Sequence, residues 1–226
     1  MVAQKHKKLH EIFKISRSSL YYKSKKYNED LKVKESIEKV WDDFPIKHKI
    51  TSTDGKYPNL LTTIELVRIN QIWVTDFTYL WYRNRFIYVA TVIDIFNREV
   101  VGACVLINHS SALVVQALVS ALMDHPKPDI VHSDQGGEYT AKIFQDFCVS
   151  SGIQISMSEK GSPWQNGYQE SFYDKFKIDL GDPNRFDSLG ELVYEIYHTI
   201  YIYNTTRIHT SLKMSPREFA LKNQAR

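Results

Sequence analysis

Three carboxylates in separate local settings carry the chemistry legible in this 226-residue chain: Asp76 in WVTDFTYL, Asp134 in VHSDQGGEY and Glu170 in WQNGYQESF. There are 35 residues between the second and the third. The first reads as mid-strand, the second as a strand end, and the third as the opening turns of a helix. Acids gathered from separate elements bind hard divalent cations through oxygen, and Mg²⁺ takes a few such ligands together with water and substrate phosphate. Two ions roughly 3.5–4 Å apart stabilise both the attacking and the leaving oxygen of an in-line displacement. These residue types therefore point to phosphoryl transfer on nucleic acid. Asp76, on a central strand, is expected to bridge both ions, with Asp134 and Glu170 completing one site each. Carboxylates crowded together raise each other's pKa until a cation neutralises them, so order around Glu170 is expected to depend on metal. Composition and spacing alone leave rivals open: Asp94 in TVIDIFN, Glu138 four residues past Asp134, and Asp174 one turn past Glu170.

These acids must be positioned by a folded body. At this length the chain forms one substantial core with appendages, or two domains at most. Residues 1–50 hold thirteen Lys/Arg against seven Asp/Glu, whereas the rest hold sixteen against nineteen. A basic arm beside a slightly acidic body suits an anionic partner, nucleic acid first among them, or is simply a solvated terminus. Cys104 and Cys148 fall in apolar patterns without a CxxC spacing and read as buried free thiols in a reducing compartment. MVAQKHKK lacks the apolar stretch of a signal peptide, and the longest apolar run, 100–107, is far too short to span a bilayer. A cytoplasmic protein is expected.

Residues 1–44 read as a helical basic arm, in which ISRSSLYY has the look of half a helix-turn-helix, and 45–70 as a linker with Pro45, Gly55 and Pro58. From Gln71 the pattern changes. Stretches 72–81, 86–95 and 99–107 are rich in β-branched and aromatic residues and are separated by turn-sized gaps, predicting an antiparallel meander. A helix capped by Ser110–Ser111 follows, then a strand over 129–133, a helix over 140–151 and a strand over 153–157, an α/β layout. On the helix carrying Glu170, Phe172, Phe176 and Leu180 form the packing stripe with Tyr173 at its edge, while Glu170, Asp174 and Lys177 share another face. Ser188 and Glu191 form a capping box opening a long amphipathic helix, and Ser215–Pro216 begin a last short one. The domain boundaries expected are 1–44, 45–70, 71–182 for the core and 183–226 for a helical extension.

WVTDFTYL, VIDIFNREVVG, HSDQGGEY, SEKGSPWQNGYQESFYDKFK and YNTTRIHTSL..SPREF, in that order, closely resemble the integrase-core transposases of bacterial insertion sequences. The match is to the second-frame protein of the group fused by ribosomal frameshifting, with retroviral integrases as more distant relatives. The resemblance implies a ribonuclease H-like mixed five-stranded sheet flanked by helices, and a DD(35)E site of Asp76, Asp134 and Glu170 that uses two Mg²⁺ ions, with Mn²⁺ able to substitute. It implies DNA 3′-end processing followed by strand transfer, acting as a homo-oligomer on element ends and target DNA in the bacterial cytoplasm at the nucleoid, together with a first-frame protein. Lys177 matches a basic position that contacts DNA at the element end. The 161–167 loop would cover the site, with Trp164 stacking on a base or plugging the loop, and Asn166 shaping the start of the catalytic helix. Arg207 and His209 lie in the C-terminal motif and suit either phosphate contact or a helix-end structural role. His132 is expected to be packed and hydrogen-bonded. The segment ahead of the core is shorter than the family's, which sets against active transposition the alternative of an impaired remnant that binds DNA without completing the reaction.

Overall fold

In the computed structural model, residues 57–158 and 167–224 are described; the expected N-terminal arm and the loop with Trp164 and Asn166 lie outside them. Five strands form one sheet: β1 (Ile72–Tyr82), β2 (Arg85–Asp94), β3 (Val100–Leu106), β4 (Ile130–Ser133) and β5 (Gln154–Met157). Their order is β3-β2-β1-β4-β5. The expected meander is present: β1 pairs antiparallel with β2, and β2 with β3. Arg83 and Asn84 both take positive φ, at 42° and 68°, giving the two-residue connection whose twist matches the strands it joins. Strands β4 and β5 add in parallel on the other side of β1, each after a helical crossover.

The helices are α1 (Ser111–Asp124), the short α2 (Gly137–Thr140), α3 (Lys142–Ser150), α4 (Gly167–Leu180), α5 (Leu189–Thr205) and α6 (Pro216–Gln224). Two local expectations are corrected. The helix read over 140–151 starts two residues later, at Lys142, because Ala141 takes extended backbone and separates it from the short α2 that ends at Thr140. Ser110 occupies the cap position of α1, but its side chain makes no capping hydrogen bond. The α5 cap forms with a shift: Glu191 N–H donates to Ser188 Oγ at 3.1 Å, while the Glu191 carboxylate accepts from Asp187 N–H. Ser215 Oγ accepts from Glu218 N–H at 3.3 Å to open α6.

Alternation along the strands sorts the core into two layers. Ile72, Val74, Leu80 and Tyr82 of β1 face Phe172, Phe176 and Leu180 of α4 and Leu192, Ile196 and Ile200 of α5. Trp73, Ala90 and Val92 face Leu113, Val114 and Leu118 of α1 and Phe144 and Cys148 of α3. Leu60, Leu61, Ile64 and Leu66, ahead of β1, pack on the first layer. Helix α1 lies so close to β3 that a Cβ at Gly102 would stand 2.5 Å from Ala117 O. Both cysteines are buried free thiols, and burial pushes Cys104 up to about 11 and Cys148 to about 12. No helix among the described residues is long and apolar enough to cross a membrane.

Candidate active site

Strand β1 outruns its parallel neighbour. Its pairing with β4 ends at Val74↔His132, and continuing that register by two residues brings Asp134 level with Asp76. The site therefore opens at the carboxyl end of the parallel pair, where the strands part and a ligand reaches the backbone. Asp76 is half-buried there, on the face that looks toward α4, and its Oδ1 accepts the Phe77 N–H at 2.8 Å. Asp134 is exposed in a tight turn, its Oδ1 accepting the Gly136 N–H at 2.9 Å. Glu170 is exposed on the first turn of α4.

Burial pushes the Asp76 carboxyl up to about 7, and the charges of Asp134 and Glu170 push in the same direction, against the lowering effect of the Phe77 N–H. The charges of Asp134 and Glu170 thus reach Asp76 through space. Among the described residues, however, no three His, Cys, Asp or Glu side chains stand as a ready-made coordination set. The donors are hard carboxylate oxygens in mutual repulsion, which is the chemistry that suits a divalent cation, but they are not closed around a common point.

What fixes α4 over Asp76 is a buried polar network that the sequence reading overlooked. Thr91 is the cross-strand partner of Asp76 on β2, and its hydroxyl lies 2.9 Å from both Gln169 Oε1 and the Tyr173 hydroxyl. Gln169 Nε2 donates to Val74 O at 2.9 Å and lies 3.2 Å from Thr91 O. Tyr173 donates to Asp76 O at 2.7 Å. Two of these bonds, to Val74 O and Asp76 O, tie α4 to the backbone of the strand that bears Asp76, and Thr91 ties it to β2; leaving such groups unpaired would be unfavourable. Because successive helical residues turn by about 100°, seating Gln169 against the sheet turns Glu170 outward at the strand end. The signal was available: Gln169 is three residues before Phe172, in register with the apolar stripe.

The rival acids separate by their surroundings. Asp94 is fully buried and accepts N–H groups from Asn70 and Phe96 at 2.6 and 2.8 Å, which makes it a clip for the β2–β3 corner. Asp174 is exposed. Glu138 stands beside Asp134, since a Cβ at Gly136 would lie 3.0 Å from Asp134 Oδ1 and 3.1 Å from Glu138 Oε2. Its other oxygen is 2.5 Å from His109 Nε2, and His109 stacks on Tyr88. His132 is buried with Nδ1 2.8 Å from Ser156 Oγ, and burial lowers it to about 4, the neutral packed histidine expected. Lys177 is exposed with its ammonium 5.8 Å from the Tyr79 ring centroid. Arg207 is paired with Asp179. Trp164 and Asn166 lie outside the described residues.

Comparison with known proteins places this geometry. The integrase core domain family matches residues 67–163, and a second family of the same description matches residues 151–216. The chain is 36% identical over 171 residues to a transposase for insertion sequence element IS904 from Lactococcus lactis, covering 74% of this chain and 68% of that protein. It is 33% identical over 168 residues to the putative transposase InsK for IS150 from Escherichia coli, covering 72% of this chain and 59% of the relative. Among solved structures, the catalytic core domain of HTLV-2 integrase in complex with magnesium aligns with a TM-score of 0.55 at 20% identity, over 67% of this chain and 96% of that one. The simian T-cell lymphotropic virus intasome aligns with a TM-score of 0.60 at 18% identity, over 95% of this chain and 74% of that one. At these identities the structural matches speak to fold: the five-stranded mixed sheet with flanking helices is ribonuclease H-like.

Proposed function

The chain belongs to the insertion-sequence transposases that carry an integrase core domain, and from that premise we propose that it carries out metal-dependent DNA 3′-end processing and strand transfer. One observation supports this reading above the others: Asp76 is pushed up to about 7, by burial first, with the charges of Asp134 and Glu170 adding to it, so two acids far along the chain lie within electrostatic reach of the first. In this reading Asp76, Asp134 and Glu170 are the DD(35)E acids and would hold Mg²⁺ or Mn²⁺. Two such ions, when bound, activate the attacking oxygen and stabilise the leaving one.

The remaining work falls to the chain's own residues. Asp76, half-buried with its carboxyl pushed up by burial, would hold such an ion in its deprotonated form. Asp134 and Glu170, exposed at a turn and a helix start, leave room for a DNA strand to lie along the strand ends. Gln169 and Tyr173 position Glu170 by anchoring α4 to the backbone of β1. Lys177 contacts the DNA from the face it shares with Glu170, and Arg207, Trp164 and Asn166 are assigned to further DNA contacts. Water is the nucleophile of the first step and the freed 3′-OH that of the second. Positioning and charge neutralisation carry both, without a covalent enzyme intermediate. Residues 71–182 form the catalytic unit, 1–44 a DNA-binding arm, and a homo-oligomer brings paired ends together.

The test is incubation of the full chain with labelled element-end duplex and Mg²⁺ beside Asp134→Asn. Joined products that vanish in the variant are the expected result. Joined products of equal yield in the variant would overturn the assignment, and binding without cleavage by the unaltered protein would favour the impaired remnant.

A further inference from the structure

The C-terminal motif YNTTRIHTSL is not absorbed by the acidic site, and its fold creates a second feature. After α5 the chain closes a tight turn in which His209 N–H donates to Met214 O at 2.9 Å and Lys213 N–H donates to His209 O at 2.8 Å. That turn lies against the first turns of α4 and the β2–β3 corner, enclosing a cleft of about 410 Å³ lined by Arg98, Tyr168, Ser171, Tyr203, His209 and Ser211, with no acidic residue among its lining. Arg98 sits at the corner with φ 64°, its guanidinium carbon 4.2 Å from the Tyr168 ring centroid. Its Nη1 is buried without a hydrogen-bond partner among the described residues. A buried guanidinium N–H facing a cleft is a donor that a ligand oxygen can satisfy. The neighbouring cation Arg207 is already paired with Asp179, and Arg217 with Glu99, whereas Lys175 donates to Ser171 Oγ at 3.0 Å and Arg98 stands in the cleft lining without a carboxylate partner among the described residues.

We propose that this cleft is a phosphate-binding subsite that holds a backbone phosphodiester of the DNA strand beside the acidic site. Arg98 supplies the charge-assisted donor, Ser171 and Ser211 the hydroxyls, and the opening end of α4 a favourable dipole. His209 accepts the Ser211 N–H at Nδ1 over 3.4 Å, which leaves Nε2 as its donor. Burial lowers the His209 pKa, and the nearby Lys175, Arg98 and Arg207 charges lower it further, so a bound anion would relieve a concentration of positive charge. Tyr168 and Ser171 lie on the same opening turns of α4 as Glu170 but on another side of the helix. A strand crossing that helix end would meet the acids first and the cleft next. The proposal rests on the DNA reading above and names where the strand goes.

The experiment uses the full chain and two variants, Arg98→Asn, because asparagine tolerates the positive φ, and His209→Gln. Anisotropy of a labelled duplex without divalent metal gives affinity against salt. Loss of roughly tenfold in affinity, with the log–log salt slope reduced by about 1 in Arg98→Asn, supports the subsite, as does movement of the His209 ring resonances on adding the duplex to unaltered protein. Inorganic pyrophosphate separates the sources of phosphate: if it alone shifts His209 and DNA does not, a free phosphate ester is the ligand and the proposal falls. Unchanged affinity and slope in Arg98→Asn with unmoved His209 resonances also overturns it. Failure of the two readings is distinguishable. A protein that joins DNA ends with an unchanged slope in Arg98→Asn sinks the subsite alone, whereas Arg98-dependent binding without Asp134-dependent chemistry sinks the catalytic reading alone.

Discussion

Asp76→Asn should make the metal-free protein more stable at neutral and alkaline pH, and should remove most of its stabilisation by Mg²⁺. The folded state holds the Asp76 carboxyl at about 7 against 3.8 ordinarily. Between those values the folded protein keeps a proton that the unfolded chain has released. Stability is therefore greatest below the unfolded pKa, falls as pH rises through the window, and is level above it. A displacement of about three units at 1.36 kcal/mol each sets an upper limit of about 4 kcal/mol, and because the side chain keeps some contact with water about 2 kcal/mol is the working figure. Asparagine retains an oxygen for the Phe77 N–H and removes the repulsion with Asp134 and Glu170. Urea unfolding of both proteins at about pH 5 and about pH 8, in chelator and in millimolar Mg²⁺, measures the difference directly. The unaltered protein should lose about 1.3 kcal/mol more than the variant across that interval in chelator, since about two thirds of the window lies above pH 5, and recover it with Mg²⁺. Parallel pH curves for the two proteins, or equal Mg²⁺ stabilisation, would refute the idea that these acids are electrostatically strained.

Tyr173→Phe removes the hydroxyl that contacts Asp76 O and Thr91 and should lower stability by about 1–2 kcal/mol; strand-transfer turnover should fall with DNA affinity unchanged, and a variant with full turnover would rule out the positioning role. Gly102→Ala drives a Cβ to 2.5 Å from Ala117 O and should cost about 3 kcal/mol through overpacking, read as a lowered denaturant midpoint; an unshifted midpoint would show that α1 slides freely on β3. Lys177→Ala should weaken DNA binding and reduce its salt slope by about 1 with an unchanged circular dichroism spectrum, because the side chain is exposed; an unfolded variant would assign Lys177 to the fold instead.

The strands were legible because β-branched and aromatic runs with short polar gaps leave few alternatives, and the stripe of Phe172, Phe176 and Leu180 was legible because its spacing is that of one helix face. The candidate acids were legible as residue types in strand-end and helix-start settings. What spacing could not supply was which acids meet. Asp94 also ends a strand, but its carboxylate folds back onto Asn70 and Phe96, a choice made by the corner it closes rather than by its neighbours in sequence. The same holds for Tyr173, read as the edge of an apolar stripe because its ring is apolar, although its hydroxyl reaches Asp76 O from almost a hundred positions away. Arg98 is the sharpest case. In sequence it is a basic residue in a turn, and only the chain's return through His209 and Ser211 places it in a cleft lining, half-buried with Nη1 lacking a hydrogen-bond partner among the described residues. Local pattern reports which surface an element must bury; it is silent on polar groups whose partners are set by tertiary closure. In the proposed reading those groups, Gln169 and Tyr173 beneath the acids and Arg98 in the cleft, are the ones that would give a ribonuclease H-like sheet a defined direction for a DNA strand.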